Sequence, residues 1–341
     1  SPITLLNPFP LGSASGNPAV AGISKDYTVP TVYEWSIGVQ RQLPGEILLE
    51  TTYIGSRGTH LPLEINVNQP APGPGTAAQV QARRPYPVYA NITWLESANN
   101  SDYESLQVKL EKHTSKNIAF LLSETYARSI DEGPQAGSTS NSSKILPQNS
   151  YNSQQGERGL SDFDVKNRTV LSVIGETPFG KGQRWLTNGM AGRLAGGWQL
   201  SGIMTWQTGR PWTPYFSGNN SNTSELADRP NVVAGCDLYS GFQKVSAWAN
   251  PACFTAPPAG TFGNLGRNTL TGPGQFNLDF ALDRSFQIVE RLRLQFRGEL
   301  FNIFNHPNFN LPITTYDSPT FGSLTIAQDP REIQFGLKLI F

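Results

Sequence analysis

Charge, histidine, cysteine and long apolar runs are all scarce in this sequence. Only 15% of its 341 residues are charged, with Lys+Arg and Asp+Glu balanced at 26 each. Soluble domains average about 25% charged residues, so the chain is poor in charge for a protein bathed in water on every side. The even balance excludes the basic footprint of a nucleic-acid partner. No run approaches the ~18 consecutive apolar residues of a membrane helix. The opening "SPITLLNPFP" has neither a basic n-region nor an apolar h-region. Such a start is expected of a cytoplasmic chain, of one already processed, or of a piece of something longer.

Catalytic and metal-binding patterns are missing too. His60, His113 and His306 lie far apart, and Cys236 and Cys253 have no third or fourth ligand beside them, so zinc spacing is absent. There is no G-x-S-x-G elbow and no H-E-x-x-H. "FGKGQR" is too short for a phosphate loop and has no Ser or Thr after its Lys. Asp279 and Asp283, four residues apart on a strand, would stand about 14 Å apart, too far for either glycosidase geometry. The expectation is a protein that is not an enzyme and needs no cofactor. The two cysteines read either as a disulfide in an oxidising compartment or as two buried thiols; their Pro- and Gly-rich surroundings look like an exposed loop, which favours the disulfide.

What recurs is period two. In "VYEWSIGVQR", Tyr33, Trp35, Ile37 and Val39 share one face, and Glu34, Ser36, Gly38 and Gln40 the other. "LQVKLEK" sets Leu106, Val108 and Leu110 against Gln107, Lys109 and Glu111. "QFNLDFALDRSF" and "RLRLQFRGELFNIF" alternate in the same way, and the chain closes on "REIQFGLKLIF". With "EILLETTYIG", "NIAFLLSETYARS", "NRTVLSVIGETPFG" and "GGWQLSGIMTWQTG", this predicts about nine strands of roughly ten residues, the length that crosses a bilayer when tilted. The predicted fold is all-β, an antiparallel meander.

The connections alternate in length. Short turns are predicted after Arg41, Lys112 and Phe286, and long segments over about 56–102, 129–166, 209–274 and 305–331, with an intermediate one over about 178–196. "YPVYANITWLES" is read as a partial strand within the first. Long structureless loops argue against a soluble domain and suit an outer-membrane barrel with long outer loops. Tyr33, Trp35, Tyr53, Tyr126, Trp198, Trp206, Trp212, Phe301 and Phe304 lie toward strand ends, where interfacial aromatics belong. Asp279, Asp283, Arg293, Arg297 and Glu299 alternate with apolar residues. They would be costly in a dry core and are expected in a wet lumen, salt-bridged to one another.

The tail carries a resemblance. Outer-membrane barrels share a last strand with a polar residue, a glycine two later, and apolar positions ending on phenylalanine; Gln334, Gly336, Leu339 and Phe341 fit it. In that family the barrel-assembly machinery reads this strand. "YEWSIGVQRQLP", "YIGSRGTHL", "VLSVIGETPFGKGQRW", "GGWQLSGIMTWQTGRPW", "TFGNLGRNTLTGPG" and "LQFRGELFNIFNHPNFN" together resemble the C-terminal part of TonB-dependent receptors, specifically the Oar-like ones. The resemblance implies a parent barrel of about 22 strands with a plug in its lumen. It implies residence in the outer membrane of a Gram-negative bacterium, and partners comprising outer-membrane lipid, the barrel-assembly machinery, the remainder of the barrel and plug, and TonB through that plug. No plug-like segment or TonB box is found, and nine strands are odd where bacterial barrels are even, so 1–341 is expected to be a partial barrel cut within an outer loop. Two other readings stay open: a structural or adhesive surface protein built on the same barrel, and a soluble β-rich protein binding sugar through Trp206, Trp212 and Trp248.

Overall fold

A computed structural model of the chain describes residues 16–115, 118–133, 146–180, 182–225 and 228–341. Among the described residues the main sheet has eleven strands, nine of which form a continuous path: β1 (Thr31–Leu43), β2 (Ile47–Asn66), β3 (Ile92–Ser115), β4 (Ile118–Asp131), β5 (Asn167–Glu176), β6 (Trp198–Gln207), β7 (Gln275–Val289), β8 (Leu292–Phe301) and β9 (Glu332–Ile340), while the two-residue Gly159–Leu160 pairs with the end of β4 off that path. Each of the nine pairs with its neighbour in that order, and every one of these pairings is antiparallel. Val20–Ile23 adds a short parallel strand against Ile92–Leu95. The sheet is open: β1 and β9 each have one neighbour along this path.

Opposed residues in an antiparallel ladder share a face, so the register assigns every side chain. Ile37, Tyr53, Leu106 and Tyr126 stand opposite one another in turn. So do Phe120, Val173, Gly202, Phe280, Leu300 and Ile333. By alternation Trp35, Val108, Leu110 and Phe296 share this apolar face. Gln107, Asp279, Asp283, Arg293, Arg297 and Glu299 lie on the opposite, polar face, as do Gln334, Gly336 and Lys338. Phe335, Leu337 and Leu339 are on the apolar face and strongly exposed, and Phe341 follows the last strand residue at 96% exposure. An exposed face of this kind is stable only in an apolar solvent, and the aliphatic β-branched and aromatic side chains that form it also favour extended backbone.

The apolar band has two borders. At the short-turn end Trp198 stands edge-on to Phe286 and Phe296, and the Arg284 guanidinium lies 4.4 Å from the Phe286 ring centroid. Arg284 also donates to the Arg193 and Leu194 carbonyls at the end of α1 (Gly189–Ala195), the short helix within the intermediate connection. At the other end Trp206 faces Phe276, and Phe276 stacks on Phe304 at 6.1 Å. Trp198 and Trp206 are eight residues apart on β6, about 27 Å along the strand. At the ~40° tilt of barrel strands this is roughly 21 Å along the membrane normal, close to the apolar band of about 25 Å on outer-membrane barrels. Two aromatics depart from the expected interfacial placement. Phe301 has the parity of the polar face, opposite Glu332, and Trp212 is fully buried.

The connections sort by length to the two ends of the sheet. β1–β2 turns over 44–46, where Gly45 and Glu46 take positive φ, and β7–β8 over 290–291; the β3–β4 turn near residues 116–117 lies outside the described residues. The long connections all leave the opposite end. The first is shorter than its sequence implies, because β2 and β3 run on together to Asn66 and Ile92. "YPVYANITWLES" is therefore largely the start of β3 rather than a separate strand.

Candidate functional site

The buried core of this chain lies in its loops. The sheet is a single layer, and packing occurs where the long connections meet over one end. Trp212, Ala249, Cys253, Phe254, Leu265 and Leu270 of the β6–β7 connection cluster with Phe321 of the β8–β9 connection. Phe321 stands 5.5 Å from the Tyr316 ring and 5.7 Å from Phe254, both edge-on. Two minimal ladders pin this cluster: Asn231–Val232 against Phe254–Thr255, and Pro211–Trp212 against Leu270–Thr271. Cys236 and Cys253 form a disulfide with Cα atoms 5.4 Å apart, closing a loop of 17 residues. In the chain-entropy model such a loop contributes about 3 kcal/mol. Cys253 is fully buried, so the bridge belongs to a packed core rather than to an open loop.

Beneath that cluster runs a buried polar network joining three connections. Arg229 donates through Nη1 and Nη2 to the Glu157 carboxylate at 3.2 and 2.9 Å, with both side chains buried. Arg267 pairs with Asp131 and lies 3.6 Å from Asp162. It also donates through Nε to the Glu157 carbonyl at 2.7 Å. Gln148 accepts from the Arg229 N–H, and its side chain donates to the Gly263 carbonyl. Gln69 donates to the Gln148 carbonyl and accepts from the Ser150 N–H. Asn66, at the tip of β2, accepts from the N–H groups of Asn68 and Ile92. Buried charges survive only when paired and hydrogen-bonded, so these partners fix the loops relative to one another.

Glu225 is the strained member. One carboxylate oxygen accepts from the Asn66 amide, while the other is buried with no partner among the described residues. Burial pushes its pKa from the ordinary 4.5 up to about 7, against the opposing pull of Asn66 and Arg84, with Asp228 adding to the rise. The protonated form is therefore favoured when the loops are packed. Its stabilisation is complete below the unfolded pKa and is lost as pH rises through about 7. Raising the pH from 5 to 8 is expected to weaken loop packing by up to about 3 kcal/mol, seen as faster proteolysis of the 208–274 connection. Glu225→Gln should flatten most of that profile. Burial also raises the carboxyls of Asp228 and Asp164.

On the polar face the charges pair only in part. Arg297 contacts Glu299 at 2.7 Å and Asp283 at 3.7 Å. Asp279, expected in a salt bridge, instead accepts at 2.9 Å from both the Asn277 amide and the Asn302 N–H. Arg293 donates to Gln287 at 3.4 Å. Below the loops this face opens into a cavity of about 390 Å³ lined by Asn277, Asp279, Asn302, Asn308, Glu332 and Gln334. Among the described residues no group of three or more His, Cys, Asp or Glu side chains is placed to hold a metal ion. The three tryptophans weighed for sugar binding do not share a platform: Trp206 is on the apolar face, Trp212 is buried, and the Trp248 Nε1 donates to the Thr271 carbonyl. The loop network escaped the sequence reading because it has no period. Its signal was the charge retained in charge-poor loops, as in "ELADRP", "GNLGRN" and "GERGLSDFD".

A family model described as an outer membrane beta barrel domain matches residues 1–334. No curated protein matches the chain. Among solved structures it is similar to the outer membrane transporter YddB from Escherichia coli, at 12% identity and a TM-score of 0.49, over 96% of this chain and 34% of that one. It is similar also to the ferripyoverdine receptor of the outer membrane of Pseudomonas aeruginosa, at 11% and 0.44, over 90% and 26%. The ferric citrate transporter FecA in its unliganded form matches at 13% and 0.40, over 91% and 31%. The chain thus spans about a third or less of the length of these structures.

Proposed function

Because the chain belongs to the outer membrane β-barrel domain family, we propose that it is the C-terminal barrel portion of a TonB-dependent, Oar-like receptor taking up a scarce polar ligand. The chain resides in the outer membrane. Its apolar face meets lipid and its polar face lines the lumen, the division that a spanning barrel requires. The observation that carries the receptor reading is the polar cavity beneath the packed loops. A space of about 390 Å³ lined by carboxylates and amides together with Phe301 and Pro330 continues onto the polar face of the strands, as a ligand path would. The free edges of β1 and β9 pair with further strands, since unpaired backbone in lipid is prohibitively costly. In this reading those strands, the plug and TonB complete the machine. Gln334, Gly336, Leu339 and Phe341 serve the barrel-assembly machinery.

Uptake by cells carrying the complete gene tests the reading. Deleting the gene should abolish accumulation of one solute from a panel of scarce polar nutrients, and an uncoupler should abolish it in the parent strain. Accumulation that ignores the uncoupler, or a deletion that impairs only surface attachment, would favour the adhesive alternative.

A further inference from the structure

A second cavity, of about 370 Å³, opens beside the loops and is lined by Tyr126, Arg128, Lys166, Thr208, Pro211 and Thr271. It lies on the outside of the barrel. Tyr126 is on the lipid-facing side by the ladder Ile37, Tyr53, Leu106, Tyr126. Arg128, two residues further from the membrane centre, has the same parity. The Lys166 ammonium sits 5.9 Å from the Tyr126 ring centroid, which brings it to that side as well. Tyr126 marks the upper border of the apolar band, so the cleft stands at headgroup height.

The cleft also holds two cations outside any close ion pair, Arg128 being drawn to the Asp164 carboxylate only at longer range. Arg57 pairs with Asp102, and Arg158 with Asp102 and Glu132, whereas among the described residues neither Arg128 nor Lys166 is within ion-pair distance of a carboxylate. Asp164, which also lines the cleft, is turned inward and accepts the Ser129 N–H at 2.6 Å. Phe163, in the turn just before Lys166, is 66% exposed, an arrangement costly in water and favourable against acyl chains. Lys166 over an aromatic ring, Arg128 beside it, and an apolar wall at Pro211 and Leu160 match an anion attached to a hydrocarbon. We propose that this cleft seats a phosphate-bearing headgroup of an outer-leaflet lipid.

The test is lipid retention by the complete barrel, extracted from outer membranes in mild detergent and weighed by native mass spectrometry. The parent barrel should keep a phosphate-bearing lipid. Arg128→Gln combined with Lys166→Gln should lower retention roughly 25-fold, about fivefold per charge removed, and Lys166→Gln alone carries the test should the pair fail to assemble. Arg57→Gln, in the same collar but outside the cleft, should retain the lipid. Excess inorganic phosphate should not displace it, because the acyl chains add to the binding. Unchanged retention in the double variant, equal loss in Arg57→Gln, or displacement by inorganic phosphate alone would overturn the proposal.

Discussion

Arg267→Met will open the loop cap. Arg267 is 1% exposed and holds Asp131, Asp162 and the Glu157 carbonyl together from the far side of the β6–β7 connection. Methionine can occupy part of the volume but leaves two carboxylates in a low-dielectric site with their cation removed. Breaking a buried pair from one side costs about 3–5 kcal/mol, well above the ~0–1 kcal/mol of an exposed pair. Local opening of the loops should rise by two to three orders of magnitude, read as the rate of limited proteolysis within residues 208–274. Arg158→Met supplies the comparison. Arg158 itself is 47% exposed, against 1% for Arg267, and its partners Asp102 and Glu132 are 37% and 18% exposed, so its effect should be much smaller. Equal sensitivity of the two variants would mean that the buried network does not hold the cap.

Phe280→Arg and Ala281→Arg, one residue apart, should behave in opposite ways. Phe280 lies midway between the aromatic borders of β7, opposite Gly202 and Leu300 on the lipid face. An arginine at the bilayer midplane of a barrel costs about 2–4 kcal/mol, to which the lost aromatic burial adds. Ala281 stands opposite Ser201 and Glu299 on the lumenal face, where a cation meets water and a carboxylate, so the substitution should be near neutral. The readout is the fraction of the complete barrel assembled in the outer membrane. Similar losses in both would place lipid on neither face in particular.

Much of the sheet could be read from the residues alone, and the reason is the solvent. Lipid imposes alternation, clearest in Leu278, Phe280 and Leu282 against Asp279, Ala281 and Asp283, and period two then carries that parity to each neighbour; β4 departs from it with Glu124, which stands on the apolar side and accepts from the Thr169 hydroxyl. Outside the bilayer that constraint ends. The upper halves of β2 and β3, including Leu63 and Ile65, which are buried, looked like loop because water and the cap replace lipid there. Trp212 was placed at an interface for its residue type, but its burial depends on Phe321 more than a hundred residues away, a contact with no local signature. Asp279 was assigned a salt bridge from proximity on one face. The backbone N–H of Asn302 and the Asn277 amide satisfy it instead, because β8 ends beside it and leaves that donor free.

The division of the sheet into a lipid face and a water face can be measured residue by residue. The native cysteines are joined in a disulfide, so single cysteines introduced from Leu278 to Asp283 in the complete barrel can carry nitroxide labels selectively. Collision with oxygen, which concentrates in lipid, is compared with collision with a water-soluble nickel chelate. Labels at 278, 280 and 282 should favour oxygen and those at 279, 281 and 283 the chelate, alternating at every step. A profile without period two, or one with the two sets exchanged, would contradict the account.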